Sequence, residues 1–423
     1  MIARTLRLGQ NYAYVVTAVV FVALIVAAGL RSAPGVLLTP WQKAFGWDRG
    51  MISFAAAVGI FLYGLAGPFA AALMQGIGVR RTLVGALLLM SVATGASLFM
   101  TQPWQLIATW GLLSGVASGG VSMVLAATIV NRWFVTRRGL ITGLLTASTA
   151  SGTLVFLPVL AWIAQTWGWK PVALVIAAVA AAMAPIVLLL LPERPQSAGL
   201  LPHGADPAHP RAPDPVHPNP VRRAMGVLND SVKHPDFWFL AGGFFICGFT
   251  TNGLVGTHLI SFCGDHGLPE VRAAGLLALM GLFDLVGTTG SGWLSDRLDP
   301  RKLLFAYYAL RGLSLVYLPF SGFGPVALAA FAVFYGLDWL ATVPPTLRLA
   351  NRAFGEGRAP IVFGWIAAGH QLGAASAAFM AGALRSLQGS YLDAFVIAGA
   401  TGLVAAGLSL MVGRFAKNAP QPA

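Results

Sequence analysis

The chain contains twelve mostly apolar segments, each about twenty residues long and separated from the next by polar residues. A segment of this length and composition can cross the hydrocarbon core of a bilayer as an α-helix. Only 10% of the 423 residues are charged, whereas soluble domains average about 25%. So few charges cannot cover a surface in water. The sequence therefore predicts an all-α protein embedded in a membrane.

The twelve predicted spans fall into two groups of six. Residues 193–235 separate the groups, and they are rich in proline, histidine and charged side chains, which predicts a polar cytoplasmic linker. We therefore expect an N-terminal six-helix bundle over residues 1–192 and a C-terminal one over 236–423. The predicted spans are approximately 14–38, 50–74, 82–100, 105–130, 139–163, 171–192, 237–262, 271–294, 303–321, 324–347, 360–384 and 392–413.

A charged loop lies at the same place in each half. It follows the second span as Gly78–Leu83, with Arg80 and Arg81, and it follows the eighth span as Gly292–Lys302. A charged turn that recurs in this way indicates an internally repeated transporter, since many transporters are built from two related halves.

Lysine and arginine predict the orientation. With the N-terminus in the cytoplasm, 20 of the 27 basic residues lie on the cytoplasmic side, five lie outside, and Arg31 and Arg311 lie within spans. This bias places both termini in the cytoplasm of a multi-pass inner (plasma) membrane protein. The net charge of +13 follows the loops. Membrane topology therefore explains the basic charge, and no nucleic acid partner is predicted.

The two loops resemble a motif of the major facilitator superfamily, Gly-x-x-x-Asp-Arg-x-Gly-Arg-Arg. The resemblance implies two pseudo-symmetric six-helix bundles and a gating role for Arg80, Arg81, Asp296 and Arg297. In the first copy, Gln75 stands where the family has an acid. The alternative for Asp296 is a solvated turn. The second copy keeps more of the motif, namely Gly292, Asp296, Arg297, Arg301 and Lys302.

Within that superfamily the chain looks like the monocarboxylate transporter branch and its bacterial relatives. The resemblance rests on Phe45–Arg49 before the second span, and on Asn131–Phe134 and Arg137–Gly139 before the fifth. That branch carries an acid in its eighth helix and a substrate-binding arginine four residues later. Here the acid is Asp284, but Thr288 occupies the later position.

Ionisable residues well inside the predicted spans are few, namely Arg31, Asp284, Arg311 and Asp338, together with His258 and His370. Insertion of a charged side chain costs roughly 2.5–3.5 kcal/mol, so each is expected to have a partner or a function. The fixed charge of Arg31 suits a substrate carboxylate, although the side chain could instead extend towards the surface. Asp284 and Asp338 are candidates to carry a proton. Arg311 is expected to form a structural ion pair with Asp284 or Asp338.

Polar side chains in the spans add candidates for substrate contact: Tyr63, Asn252, His370 and Gln371. Any of them could instead join helices. His258, Asp265 and His266 match no strong metal-site spacing, so we predict no metal or other cofactor. Cys247 and Cys263 are interpreted as small apolar residues. No phosphate-binding glycine-rich loop is present, and no enzyme is predicted.

The sequence thus predicts a secondary transporter, a monomer surrounded by membrane lipids, that moves a small organic anion with protons by alternating access. Two alternatives stay open. One is an exporter of an amphipathic or cationic compound, in which Asp284 and Asp338 contact a positive substrate. The other is a receptor or sensor that has kept the fold and lost transport.

Overall fold

The computed structural model describes residues 9–206 and 219–414. Within these ranges the chain is almost entirely helical, and the one β-type pairing is an isolated bridge between Phe134 and His203. Four of the basic residues that contribute to the predicted orientation lie outside the described residues, namely Arg4, Arg7, Arg211 and Lys417.

In the described part of the chain, eleven helices are long and apolar enough to cross a membrane, and they coincide with eleven of the predicted spans. The remaining predicted span also forms a helix, but His370, Gln371 and Arg385 make it less apolar than the others. We number the helices in chain order as α1 Gly9–Phe45, α2 Gly50–Gly76, α3 Val79–Phe99, α4 Pro103–Trp133, α5 Arg138–Trp167, α6 Trp169–Leu190, α7 Pro235–Asp265, α8 Arg272–Ser295, α9 Pro300–Phe320, α10 Pro325–Phe354, α11 Ala359–Gln388 and α12 Leu392–Met411.

The chain forms two compact units. Unit 1 comprises Met1–Ile141 and Ser148–Gly226, and unit 2 comprises Thr142–Ala147 and Val227–Ala423. In unit 1, α3 and α1 pack on α6, and α2 packs on α4. The corresponding pairs recur in unit 2, where α9 and α7 pack on α12 and α8 packs on α10. The same pairing in both units is the structural counterpart of the repeated loop.

Three long helices depart from regular α-geometry. In α4 and α7, Ile107–Leu113 and Phe249–Val255 are π-helical. In α10 the helix ends at Asp338 and resumes at Val343, so that Pro344 and Pro345 fall in a first turn, where proline is tolerated. Two consecutive prolines disfavour a continuous helix, and the interruption lies directly before them. Such irregular turns release backbone hydrogen-bonding groups inside the membrane, which other groups must then satisfy.

Glycines bring α8 and α10 into close contact just before this interruption. A Cβ atom on Gly336 of α10 would lie 2.6 Å from the carbonyl oxygen of Met280, and one on Gly287 of α8 would overlap the carbonyl of Leu337. Neither position can hold a side chain unless the backbones separate. The two helices therefore pack backbone to backbone, which brings Asp284 of α8 close to the interruption in α10.

The segment predicted as a polar linker contains a further helix, Pro220–Ser231, which we call the linker helix. The sequence did not predict it. Arg223 of this helix lies with its Nε atom 3.4 Å from Oε1 of Gln75, the residue that replaces the acid of the first loop. A second part of the linker is held by backbone hydrogen bonds between His203 and both Trp133 and Val135.

Candidate functional site

Unit 1 holds a cation inside a membrane span. The guanidinium carbon of Arg31 on α1 lies 4.8 Å from the ring centroid of Tyr63 on α2, which is a cation–π contact. Nη1 of Arg31 is buried and has no hydrogen-bond acceptor among the described residues. The structure thus brings together two of the residues predicted to contact substrate, and one donor of this cation is buried without an acceptor among the described residues.

Unit 2 holds an ion pair at the interruption of α10. Arg311 on α9 is 1% exposed, and its Nε atom lies 2.6 Å from Oδ2 of Asp338. The same guanidinium donates through Nη2 to the backbone carbonyl oxygens of Asp338 (2.5 Å) and Trp339 (3.3 Å). Arg311 therefore neutralises a carboxylate and also satisfies carbonyl groups that the interruption releases.

The second carboxylate, Asp284, has a different environment. It is 1% exposed, and its Oδ1 atom accepts hydrogen bonds from the Thr288 hydroxyl (2.5 Å) and the Leu340 backbone N–H (3.0 Å). Its Oδ2 atom is buried without a partner among the described residues. Asp284 thus accepts hydrogen bonds from two neutral donors, one of which is a backbone N–H group in the interruption of α10. Asp338, in contrast, is bound by a cation.

Sequence reasoning missed three members of this cluster. Cys247 of α7, interpreted as apolar, has its Sγ atom 2.9 Å from Nη1 of Arg311 and 3.4 Å from the Thr342 hydroxyl. Thr288 lies one helical turn after Asp284, and this i+4 spacing is a signal that could have predicted the contact. Ser291, a further residue of α8, donates to the carbonyl of Ala341 in the interruption.

The other predicted substrate-contacting residues also lie in unit 2, and one of them adjoins the cluster. His370 of α11 is buried and interacts through its side chain with Cys247, and its ring centroid lies 5.1 Å from that of Phe244. Gln371 is half-buried, whereas Asn252 is exposed on the π-helical turn of α7.

The residues considered for a metal site are engaged with protein groups. Asp265 forms an ion pair with Arg385 at 2.7 Å. His258 is hydrogen-bonded to the carbonyl of Ala378 at 2.9 Å and contacts the Tyr391 hydroxyl at 3.3 Å. Within the described ranges no group of three or more His, Cys, Asp or Glu side chains is arranged to hold a metal ion.

In the second loop, Asp296 lies with Oδ1 3.0 Å from Nη1 of Arg348 on α10. Arg348 also donates to the carbonyl of Ser295, the last residue of α8. Arg297 is exposed, and its guanidinium carbon lies 3.9 Å from the ring centroid of Trp293. The acid of this loop is therefore tied to α10 by an arginine.

The first loop uses a different acid. Glu193, just after α6, accepts a hydrogen bond from the backbone N–H of Arg80 through Oε2 at 3.0 Å. Its Oε1 atom lies 3.7 Å from Nε of the same arginine. Arg81 is exposed. Glu193 thus supplies a carboxylate at the N-terminus of α3, as Asp299 does at the N-terminus of α9, and it does not stand in the place of Asp296.

The arginine contact recurs in unit 1. Arg132 of α4 donates to the carbonyl of Met74 at 3.2 Å, as Arg348 of α10 donates to that of Ser295. Each carbonyl belongs to the residue just before the acid position of its loop. The two loops therefore share one architecture, although only the second has an acid at that position.

The family model described as "Major Facilitator Superfamily" matches residues 20–378. The chain belongs to the major facilitator superfamily. Among curated proteins, monocarboxylate transporter 13 of Bos taurus is 26% identical over 95% of this chain and 89% of its own length. The uncharacterized MFS-type transporter YcxA of Bacillus subtilis is 26% identical over 88% of each chain. These relatives are transporters, so this member of the superfamily is a membrane transporter and not an enzyme, as the sequence predicts.

Solved structures of the superfamily have the same fold. The fucose:proton symporter FucP of E. coli aligns with a TM-score of 0.71 at 15% identity and covers 95% of this chain and 99% of its own. The proton:xylose symporter XylE aligns with a TM-score of 0.70 at 14% identity over 96% of each chain. The human organic anion transporter MFSD10 aligns with a TM-score of 0.68 at 14% identity and covers 95% of this chain and 99% of its own. The predicted fold of two six-helix bundles is confirmed.

Proposed function

We propose that the protein moves a small organic anion, of the carboxylate class, together with protons by alternating access. The observation that carries this proposal is the buried Nη1 atom of Arg31, which has no acceptor among the described residues. A charged donor inside a membrane span is costly unless something binds it. The curated relatives named monocarboxylate transporters support the same class of cargo.

Tyr63 contributes to the proposed anion site through its ring. The aromatic face attracts the guanidinium of Arg31, whose planar set of N–H donors suits a carboxylate. A planar fork of donors matches a carboxylate better than the compact ammonium group of lysine does. Arg31→Lys keeps the charge and loses this fork, so we expect weaker binding even from that conservative change.

Asp284 is the better candidate for the proton carrier. Asp338 is bound by Arg311 at 2.6 Å, so a proton on this carboxylate would break a buried ion pair. Asp284 is hydrogen-bonded by a hydroxyl and a backbone N–H and has no direct cationic partner within residues 9–206 and 219–414, so its charge is less compensated. One proton on Asp284 would balance the two carboxylates against the one guanidinium. We therefore propose that Asp284 exchanges the proton while Asp338 stays paired.

Thr288 supports the proposal that unit 1 binds the anion and unit 2 exchanges the proton. In the resembled branch an arginine at this place binds the anion, whereas Thr288 donates its hydroxyl to Asp284. Two buried carboxylates and one guanidinium give this part of unit 2 no surplus positive charge. An anionic cargo is therefore expected to bind at Arg31, with proton exchange in unit 2.

The first experiment measures ligand binding by thermal shift of the purified protein, with pyruvate and benzoate as anions and tetraphenylphosphonium as a lipophilic cation. A ligand that binds only the folded protein raises its unfolding temperature. We expect the anions to stabilise the native protein, and Arg31→Ala to abolish the effect. Stabilisation by the cation alone, unchanged in Arg31→Ala, would favour an exporter of cationic compounds.

A second experiment tests the proton carrier in proteoliposomes with an imposed pH gradient. Asp284→Asn is expected to abolish proton-driven accumulation of the anion and to preserve anion exchange, which needs no net proton movement. Asp338→Asn serves as the comparison, because we expect it to act mainly by lowering stability. The assignment is wrong if Asp284→Asn still accumulates the anion against its gradient.

The remaining aspects of the function are proposals of the same kind. Arg80, Arg81, Asp296 and Arg297 are proposed to gate the cytoplasmic side, with Asp296 as the acid that α10 holds through an arginine. The protein is proposed to work as a monomer in the inner (plasma) membrane, with lipids around it and both termini in the cytoplasm. The gate assignment predicts slower transport in Asp296→Asn, and an unchanged rate would contradict it.

A further inference from the structure

Two tryptophans in unit 1 are buried against each other. Trp41 of α1 is 1% exposed and Trp110 of α4 is 3% exposed. Their ring centroids lie 5.2 Å apart with an angle of 67° between the planes. Neither indole Nε1–H has a hydrogen-bond acceptor among the residues that the structure describes. Two buried donors without acceptors thus lie on adjacent side chains from two helices.

A single buried indole N–H without a described acceptor also occurs at Trp133, so the distinguishing feature of Trp41 and Trp110 is that two such donors belong to rings in contact. A buried indole N–H normally finds a partner, because leaving a buried donor unsatisfied costs about 1–3 kcal/mol. Tryptophans that anchor a protein at the membrane surface are amphipathic and lie in the headgroup region, as the exposed Trp104 and Trp167 could. Trp41 and Trp110 are almost completely enclosed, so lipid anchoring does not explain them.

The surrounding backbone is irregular as well. Trp110 lies in the π-helical turn Ile107–Leu113, a type of turn that frequently occurs at functional sites. The neighbouring hydroxyl groups of Thr109 and Ser114 are bonded to backbone carbonyls of α4. The only described polar groups of the pair that stay available are therefore the two indole N–H groups.

We infer that Trp41 and Trp110 form a second recognition site for the cargo, which takes a carboxylate or carbonyl oxygen through the indole N–H groups. An indole N–H donates and cannot accept, so the site selects acceptors and rejects cations. The inference rests on the proposed transport of organic anions. It adds a donor site that is separate from Arg31.

The separation from Arg31 follows from helix geometry. Trp41 lies ten positions after Arg31 on α1, which corresponds to about 15 Å along a helix that rises 1.5 Å per residue. A small carboxylate cannot reach both at once. The tryptophan pair is therefore a separate binding position for an oxygen atom of the cargo, near the C-terminal end of α1.

The test replaces each indole by phenylalanine, which keeps an aromatic ring and removes the N–H. Trp133 provides a matched control, since it is also 1% exposed, lies on α4 and has a buried Nε1 without a described acceptor. We expect Trp41→Phe and Trp110→Phe to raise the KM for pyruvate about tenfold in proteoliposomes, as loss of a hydrogen bond to a charged group implies. Trp133→Phe should leave KM unchanged.

The measurement separates the two proposals. If wild-type protein is not stabilised by any anion, the proposed function fails. If anions stabilise the wild type but all three variants keep the native KM, only the tryptophan site is refuted. Should a phenylalanine variant not fold, β-(3-benzothienyl)alanine at the same position replaces the N–H by sulfur with almost the same shape. An unchanged KM in that protein would equally overturn the inference.

Discussion

The ion pair between Arg311 and Asp338 allows a quantitative prediction. Removing either partner leaves the other charged and buried, which costs about 3–5 kcal/mol. The stability lost in Arg311→Gln should lie at the upper end of this range, because the arginine also donates to two backbone carbonyls and contacts Cys247. Asp338→Asn should lie lower, because the amide oxygen can still accept from the guanidinium.

The double variant Arg311→Gln with Asp338→Asn distinguishes this reasoning from simple loss of packing. With both charges removed, we expect the loss to be smaller than for Arg311→Gln alone, since no uncompensated charge stays in the membrane. The assay is thermal unfolding in detergent. At about 2–4 °C per kcal/mol for a unit of this size, single variants should unfold roughly 6–20 °C below the native protein. Losses that simply add in the double variant would refute the argument.

Three further changes have definite expected outcomes. Glu193→Gln removes the negative charge at the N-terminus of α3 and should cost about 1 kcal/mol, seen as a lower unfolding temperature. The guanidinium of Arg301 lowers the pKa of Asp299. This pair therefore stabilises the folded protein above about pH 5, and the stabilisation is lost as the pH falls through the lowered pKa. Asp299→Asn should weaken this dependence of the unfolding temperature on acidic pH. Gly336→Ala should destabilise by about 1–3 kcal/mol, because its Cβ would meet a backbone carbonyl of α8, whereas the control Gly290→Ala meets no atom within 4 Å and should be neutral.

The elements of the fold could be predicted because their signal is local. Apolar length alone predicts a membrane helix, and Pro344 with Pro345 predicts the interruption of α10. The helix Ala359–Gln388 was also predicted, although its polar residues make it the weakest of the twelve by composition. The linker helix was missed because the surrounding sequence is dominated by proline and charge.

The candidate site was only partly predictable. Ionisable residues within spans are rare enough to single out Arg31, Asp284, Arg311 and Asp338. The choice of partner was not encoded locally, because Arg311 and Asp338 lie 27 residues apart on different helices. Nor does sequence indicate that the sulfur of Cys247 lies beside a guanidinium. Such contacts depend on how helices pack, which a single sequence does not state.

The carboxylate at the N-terminus of α3 was missed for the same reason. In unit 2, Asp299 immediately precedes α9 and accepts from the backbone N–H of Arg301. In unit 1, Gly78 occupies that position, and Glu193, which follows α6, accepts from the backbone N–H of Arg80. A motif of consecutive residues does not include a group that lies more than a hundred residues away in the sequence.

The interruption of α10 has a consequence for genetic studies. The backbone carbonyl and N–H groups released there form hydrogen bonds with the side chains of Arg311, Asp284 and Ser291. Charged side chains of the candidate site therefore also satisfy the backbone of a neighbouring helix. A random screen for variants that no longer transport will therefore recover the same positions as a screen for variants that no longer accumulate in the membrane. Protein abundance has to be measured beside activity for every substitution there, because loss of uptake alone does not separate a failed proton carrier from a failed helix cap.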